Sequence, residues 1–393
     1  IFFVHGLVYA FLLWYKGNVN EQIADKWLGL FLFFSVLYIC PWMLGFAGWY
    51  DALPYRDILF YTPFQQLFFM GPMVFFYVQS LLNPSFQFTK KQAIHLLPGC
   101  LYLFYSIIVF VTDKWVLKQY FFYSDGIDKD FDLWYQIAGY VSMILYFIAS
   151  IRYYNAYTKL LQQVVSNADT MLFKWVRNFL VAFLLILLLR IFFFILSIFI
   201  DIDYGGNWWG YFVFSILFYY IAVSGYANRI ITKHNFITDI ITQKTLLLLP
   251  ANNGVNDIET TYEEIPIIEV NDTVLEADID WINDWKEKLI TAVVVNQLYK
   301  NPELSLPDLA KKMHTNASVL SKAINNGFSM SFNDFINYHR VQMVIEMLQQ
   351  GEHKKQTLLG IAFDCGFNSK ATFNRAFKKV TQVSPKEWLQ INS

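Results

Sequence analysis

The residues of this sequence best suited to specific chemistry lie in two short polar segments near its C-terminal end. Within each segment, polar side chains recur three or four positions apart, so they share one face of a helix. Arg can bond two acceptors on a guanine edge, and Asn can do so on adenine. Lys and Ser more often bond phosphates, which position a protein without reading sequence. The residues that could contact base edges or phosphates are Asn316, Ser318, Lys322 and Asn325 in the first segment, and Lys370, Ala371, Thr372, Asn374 and Arg375 in the second.

A repeated apolar pattern positions these segments. Apolar residues at i, i+3, i+4 and i+7, a short break and a second helical phase predict two helices that meet at an angle. The offset between the copies is 52 residues before the turn and 53 after it. The copies are Leu306, Leu309, Ala310, Met313, Leu320 and Ile324, and Leu358, Ile361, Ala362, Cys365, Phe373 and Phe377. Ala310 and Ala362 suit the helix crossings, and Gly366 suits a turn with positive φ.

A helix is predicted between the two copies. Residues 331–350 contain no Gly or Pro, so one helix of roughly 30 Å can form. Successive major-groove faces of B-DNA lie about 34 Å apart. A spacer of this length can therefore present both second helices to one side of a duplex.

The C-terminal part resembles the DNA-binding domain of the AraC/XylS family of bacterial transcription regulators, in which a long helix joins two helix-turn-helix units. The resemblance covers about residues 286–390 and is carried by SLPDLAKKM, SVLSKAINN, SFNDFINYHRV and GIAFDCGFNSKATFNRAFKKVTQVSPKEW. It implies binding to double-stranded DNA at promoter sites. The family's base-contacting positions fall on Ser318, Lys322, Lys370, Ala371 and Arg375. The sequence departs from the family at Val344, Gln382 and Leu389, where Ala, Gly and Arg are usual.

The charge distribution agrees with a polyanionic partner. Residues 286–393 contain twelve Lys and two Arg against eight acids, a net charge of +6, while the whole chain carries −1. By contrast, residues 251–284 contain ten acids and no Lys or Arg. One interpretation is a solvated, partly disordered linker. The alternative is that this segment docks on the basic domain and covers it until a signal arrives.

The composition of the remaining sequence predicts a membrane domain. Hydrophobic residues make up 56% of the chain and charged residues 16%, against about 25% charged in typical globular chains. Seven apolar runs approach the ~20 residues needed to span a bilayer. They lie near 1–15, 27–48, 58–82, 93–112, 133–152, 179–200 and 208–228. The first is short and lacks an initiator Met, so we expect it to be truncated.

The loop charges predict the orientation. With the C-terminus inside, ten Lys and Arg fall on inner segments and four on outer ones, which satisfies the positive-inside rule. The chain is therefore expected in a bacterial cytoplasmic (inner) membrane as a multi-pass protein in contact with the lipid bilayer, with its C-terminal domain in the cytoplasm.

Arg190 lies near the middle of a predicted span, and no predicted span contains an acid to pair with it. Inserting such a cation at the centre of a transmembrane helix costs about 2.5–3.5 kcal/mol on insertion scales. One interpretation is a ligand or switch residue that binds an anionic signal. The other is an Arg satisfied by carbonyls, Tyr hydroxyls or Gln65 and Gln66.

The sequence thus predicts an all-α protein: a seven-helix transmembrane sensor domain at 1–230, an acidic linker at 231–280 and an AraC-type domain at 281–393. The function it favours is a membrane-embedded transcription regulator that responds to an unknown signal ligand. The alternative is a membrane transporter or enzyme whose helix-turn-helix tail binds proteins. No enzyme activity, cofactor or metal is predicted. A homodimer stays open, because no long heptad seam is visible.

Overall fold

The chain divides into two compact units. The first consists of Ile1–Tyr154 and Lys174–Lys233, and the second of Asn155–Phe173 and His234–Ser393. The computed structural model describes residues 1–83, 86–166, 174–200, 206, 208–227, 236–238, 245–248, 263–266 and 276–392. The domain boundaries predicted from the sequence, 1–230, 231–280 and 281–393, stay a prediction.

The described part of the first unit is helical. Its α-helices are α1 (Phe2–Val19), α2 (Ile23–Phe46), α3 (Tyr55–Tyr61), α4 (Leu67–Leu82), α5 (Lys90–Ala93), α6 (Leu97–Val111), α7 (Leu133–Val164), α8 (Lys174–Phe199) and α9 (Trp208–Ala227). Short 3-10 turns at Ile94–Leu96 and Lys129–Phe131 and a π-turn at Thr112–Val116 complete it. Helix α7 begins in the first unit and ends in the second.

Five helical segments of the described chain are long and apolar enough to cross a membrane: Ile23–Phe46, Lys90–Val116, Leu133–Val164, Lys174–Phe199 and Trp208–Ala227. The sequence predicts seven. The third predicted span is interrupted, because α3 ends at Tyr61 and α4 begins only at Leu67. Pro63 in this gap cannot donate a helical hydrogen bond. Helix α4 has 16 residues and is about 24 Å long, short of the ~30 Å hydrocarbon core. The 18-residue α1 is also not among the five.

The second unit combines helices with three short strands. The strands are β1 (Phe236–Thr238), β2 (Thr245–Leu248) and β3 (Glu263–Pro266). The helices are α10 (Glu276–Ile290), α11 (Leu306–Lys312), α12 (Ala317–Phe328), α13 (Phe332–Gln349), α14 (Leu358–Asp364), α15 (Lys370–Thr381) and α16 (Pro385–Asn392). A π-turn at Thr291–Val295 and 3-10 turns at Leu298–Lys300 and Glu352–Lys354 lie between helices.

The strands form one antiparallel sheet in the order β1-β2-β3. Phe236 lies opposite Leu248, and Thr245 lies opposite Pro266. The sequence predicts an all-α chain with a linker at 231–280. Outside the three strands and the start of α10, this linker lies beyond the described residues. The sheet departs from the prediction because apolar runs as short as β2 have no distinctive period.

Helices α13, α14 and α15 enclose an apolar core. Its buried members are Val341, Val344, Leu348, Ile361, Ala362, Cys365, Phe367, Phe373, Ala376 and Phe377. The two alanines expected at the helix crossings are both buried, Ala310 at 3% exposure and Ala362 at 0%. Ten of the twelve repeated apolar positions are buried in the second unit, and Met313 and Leu358 are half-buried.

Gly366 forms the turn between α14 and α15 with a φ of +93°, as the sequence predicts. A Cβ here would lie 2.5 Å from the Tyr299 carbonyl oxygen and 2.8 Å from the Lys300 Cα. Both are backbone atoms and cannot rotate away. We therefore expect Gly366→Ala to destabilise the second unit by more than the ~1–2 kcal/mol that left-handed backbone alone costs.

Hydrogen exchange of the α14 and α15 amides in the full chain measures this loss. Gly351→Ala is the matched control, because Gly351 has a φ of +84° but nothing within 4 Å of an added Cβ. An equal loss in the two variants would contradict the steric explanation.

Candidate nucleic-acid interface

Helix α15 is fixed by its N-terminal cap and its apolar face. Ser369 is the N-cap residue, and its Oγ accepts a hydrogen bond from the Thr372 backbone N at 3.1 Å. Such a cap satisfies an N–H group that has no partner within the helix. Phe373 and Phe377 are 2% and 0% exposed and pack in the core. One face of α15 is therefore held inside and the opposite face points outward.

The outward face of α15 carries four of the five residues predicted for this segment. The exposed residues are Lys370, Ala371, Asn374 and Arg375. Partial burial lowers the pKa of the Arg375 guanidinium from its usual value. Thr372 is only 1% exposed, and its hydroxyl lies 2.9 Å from Ser369 Oγ. The sequence places Thr372 on the outer face, but in the structure it is an internal residue that completes the cap.

The predicted contacts of α12 lie in a different environment. Asn316 is exposed and caps the helix, with its Oδ1 accepting from the Val319 backbone N at 2.8 Å. Ser318, Lys322 and Asn325 are half-buried. Lys322 Nζ lies 5.2 Å from the centre of the Trp281 ring in α10. The first segment is therefore less accessible than the second.

Helix α13 lies in the chain between two helix pairs, α11 with α12 and α14 with α15. Its 18 residues give a length of about 27 Å, close to the predicted spacer. Ser331 caps its start, with Oγ accepting from the Asp334 backbone N at 3.1 Å. Lys379 Nζ on α15 lies 2.6 Å from Asp334 Oδ1, which ties the second pair to the spacer helix.

Comparison with known proteins identifies this part of the chain. Residues 309–391 match the model of a helix-turn-helix domain family. The C-terminal part is an AraC-type helix-turn-helix domain. The chain is also similar to uncharacterized HTH-type transcriptional regulators of Staphylococcus aureus strains COL and MSSA476, with 25% identity over 156 residues, or 40% of this chain. The chain spans only 18% of the length of these relatives. No solved structure matches it.

A buried cation that the sequence analysis missed lies at the centre of the helix-turn-helix domain. Arg340 on α13 is 1% exposed. Its Nε donates to the Tyr299 carbonyl at 2.8 Å, and its Nη2 donates to the Asn301 carbonyl at 2.7 Å. Burial lowers the pKa of Arg340 to about 9, so it remains charged at neutral pH. The available signal was its position four residues after Ile336 and four before Val344, on the apolar face of α13.

Arg340 also bonds the segment that follows α7. Its Nη2 donates to Ser166 Oγ at 3.2 Å and its Nη1 to the Ser166 carbonyl at 3.4 Å. Asn333 Nδ2 donates to the carbonyls of Val165 and Ser166 at 3.2 and 2.9 Å. The Ser166 backbone N donates to the Leu304 carbonyl at 3.1 Å. The residues directly after α7 are therefore built into the helix-turn-helix unit.

Arg190, the predicted intramembrane ligand or switch residue, lies among tyrosines of the first unit. Its Nη2 donates to the Tyr211 hydroxyl at 3.2 Å. The guanidinium carbon lies 4.4 Å from the Tyr211 ring centre and 5.0 Å from that of Tyr38. The adjoining cavity, which Tyr140 also lines, has a volume of about 10 Å³, room for about one water. This arrangement links α8 to α2 and α9. The tyrosines contact the guanidinium, while its Nε is buried without a hydrogen-bond partner among the described residues.

Proposed function

We propose that this chain is a membrane-embedded, sequence-specific DNA-binding transcription regulator that couples a membrane or extracellular signal to promoter binding. The observation that carries the proposal is the exposed polar face of α15, with Lys370, Asn374 and Arg375, within a helix-turn-helix domain. The names of the relatives, transcriptional regulators of the HTH type, support the same function.

The proposal includes a bacterial inner-membrane location with seven spans, of which α1 and the α3–α4 pair are the two shorter ones. The charge asymmetry of the loops supports an inward C-terminus. This orientation exposes the helix-turn-helix domain to the cytoplasm, where a bacterial chromosome lies. The domain arrangement 1–230, 231–280 and 281–393 belongs to this proposal.

Coupling requires an element whose state both the signal and the DNA can influence. Helix α7 suits this role, because it is a candidate span whose end belongs to the second unit. Val165 and Ser166 directly after it accept hydrogen bonds from Asn333 and Arg340 of α13. A shift or rotation of α7 would therefore act on the helix that spaces the two DNA-reading helices.

Arg190 is proposed as a switch residue, because it connects three apolar helices. We expect Arg190→Leu to reach the membrane at wild-type level and to change the output of a promoter reporter, since Tyr38 and Tyr211 lose their cation. Arg190→Lys keeps the charge and serves as the control. A reporter output unchanged in Arg190→Leu at normal membrane levels would end this proposal.

The function is tested with the full chain in lipid nanodiscs and a pool of randomised duplexes. Repeated selection should enrich one motif, bound more weakly as salt rises because phosphate contacts release counterions. The same selection on the fragment 280–393 tests the domain alone. If neither protein enriches a motif, the alternative of a transporter or membrane enzyme with a protein-binding tail is favoured.

A further inference from the structure

The two DNA-reading helices differ in how far their outer faces are exposed. Because the sequence repeats with an offset of 53 residues, each position of α12 has a counterpart in α15. The pairs on the outer face are Ser318 and Ala371, Ser321 and Asn374, Lys322 and Arg375, and Asn325 and Lys378. All four α15 residues are exposed, whereas Ser321 is 2% exposed and the other three α12 residues are half-buried.

Helix α10 covers part of this face of α12. The centre of the Trp281 ring lies 5.2 Å from Lys322 Nζ. Lys322 is one of the base-contacting positions implied by the family resemblance. Further along, a Cβ at Gly327 would lie 3.2 Å from Lys286 Cγ. Ile282 between them is 7% exposed. The contact therefore continues along α12 and is not a single side-chain encounter.

Strand β3 also packs against α12, and both covering elements are acidic. Two of the four β3 residues are Glu, and the first nine residues of α10 contain four acids. The two segments that pack along α12 therefore carry charge of the same sign as a DNA backbone. DNA phosphates approaching α12 would be repelled by the same acids.

We propose that α10 and β3 form an acidic cover over the DNA-reading face of α12, so that in this state the protein reads DNA through α15 alone. Release of the cover lets α12 enter the adjacent major groove and completes a two-groove site. The inference rests on the proposed function, since it concerns how the same interface is regulated.

The test uses the full chain in nanodiscs and hydroxyl-radical footprinting on the duplex recovered by selection. Trp281→Ala removes the ring over Lys322. The double change Glu263→Gln with Glu264→Gln removes the charge of β3 without changing side-chain size. It keeps the test possible if Trp281→Ala fails to fold. Glu352→Gln is the control, because it removes one charge at the 3-10 turn after α13, in a surface pair with Lys355.

We expect the wild type and the control to protect one major-groove face. The two cover variants should protect two faces about one helical turn apart and bind roughly tenfold more tightly. Two protected faces in the wild type, or one in every variant, would overturn the cover. Absence of selective binding in every protein would instead contradict the proposed function. Failure of the cover and failure of the proposed function therefore give different results.

Discussion

Replacing Arg375 with Ala is expected to weaken binding to the selected duplex by roughly 5- to 150-fold and to relax specificity at one base pair. The physical reason is that the guanidinium is the side chain on the exposed face of α15 that can bond two acceptors of a guanine at once. Binding to unrelated DNA should change little, because phosphate contacts dominate it. Titration of wild type and variant against the selected duplex and its single-base variants measures both effects.

Two further substitutions sharpen this prediction. Lys370→Ala should weaken binding to the selected duplex and to unrelated duplexes alike. It should also reduce the slope of log affinity against log salt concentration by about one unit. Lys355→Ala removes an exposed cation from a turn outside the reading face and should have little effect. Equal affinity of Arg375→Ala and wild type for every duplex would show that α15 does not read this base.

Replacing Arg340 with Ala is expected to destabilise the second unit by on the order of 2–5 kcal/mol. The side chain is 1% exposed, and its removal takes the Nε donor from the Tyr299 carbonyl. The Asn301 and Ser166 carbonyls each lose one donor and keep another, from the Leu304 backbone N and from Asn333 Nδ2. Unsatisfied buried acceptors keep their full desolvation cost. Hydrogen exchange of the α13 amides in the full chain should show a corresponding loss of protection.

Gln350→Ala is the matched control for Arg340→Ala, since Gln350 is an exposed polar residue at the end of the same helix. It should leave exchange within α13 near wild type. Arg340→Met fills much of the volume but restores no donor, so its loss should lie between the two. Wild-type protection of α13 in Arg340→Ala would mean that the hydrogen bonds of Arg340 contribute little to the stability of this unit.

Local sequence patterns predicted the elements that carry the candidate interface. The repeat located α11, α12, α14 and α15, because apolar spacing reflects which side of a helix is buried. The absence of Gly and Pro located α13, and Gly366 marked a turn with positive φ. The four exposed residues of α15 followed from the same periodicity. Thr372 did not, because a residue in the first turn can complete a cap instead of facing solvent.

Contacts between distant segments escaped the sequence analysis. Ser166 and Arg340 are 174 residues apart, and Trp281 and Lys322 meet only because α10 packs along α12. A single sequence holds no signal for such pairs. The break within the third predicted span was missed for a related reason. Hydropathy measures composition, whereas the break between α3 and α4 depends on local backbone geometry at 62–66.

The most direct test of the central claim is to crosslink DNA to the full chain in living cells and then to separate membranes from soluble protein. The account predicts that the chain sediments with the membrane and carries discrete chromosomal sites that share the selected motif. Arg375→Ala should remain in the membrane and lose those sites. A membrane-bound chain without discrete DNA sites, or sites recovered only with soluble protein, would contradict it.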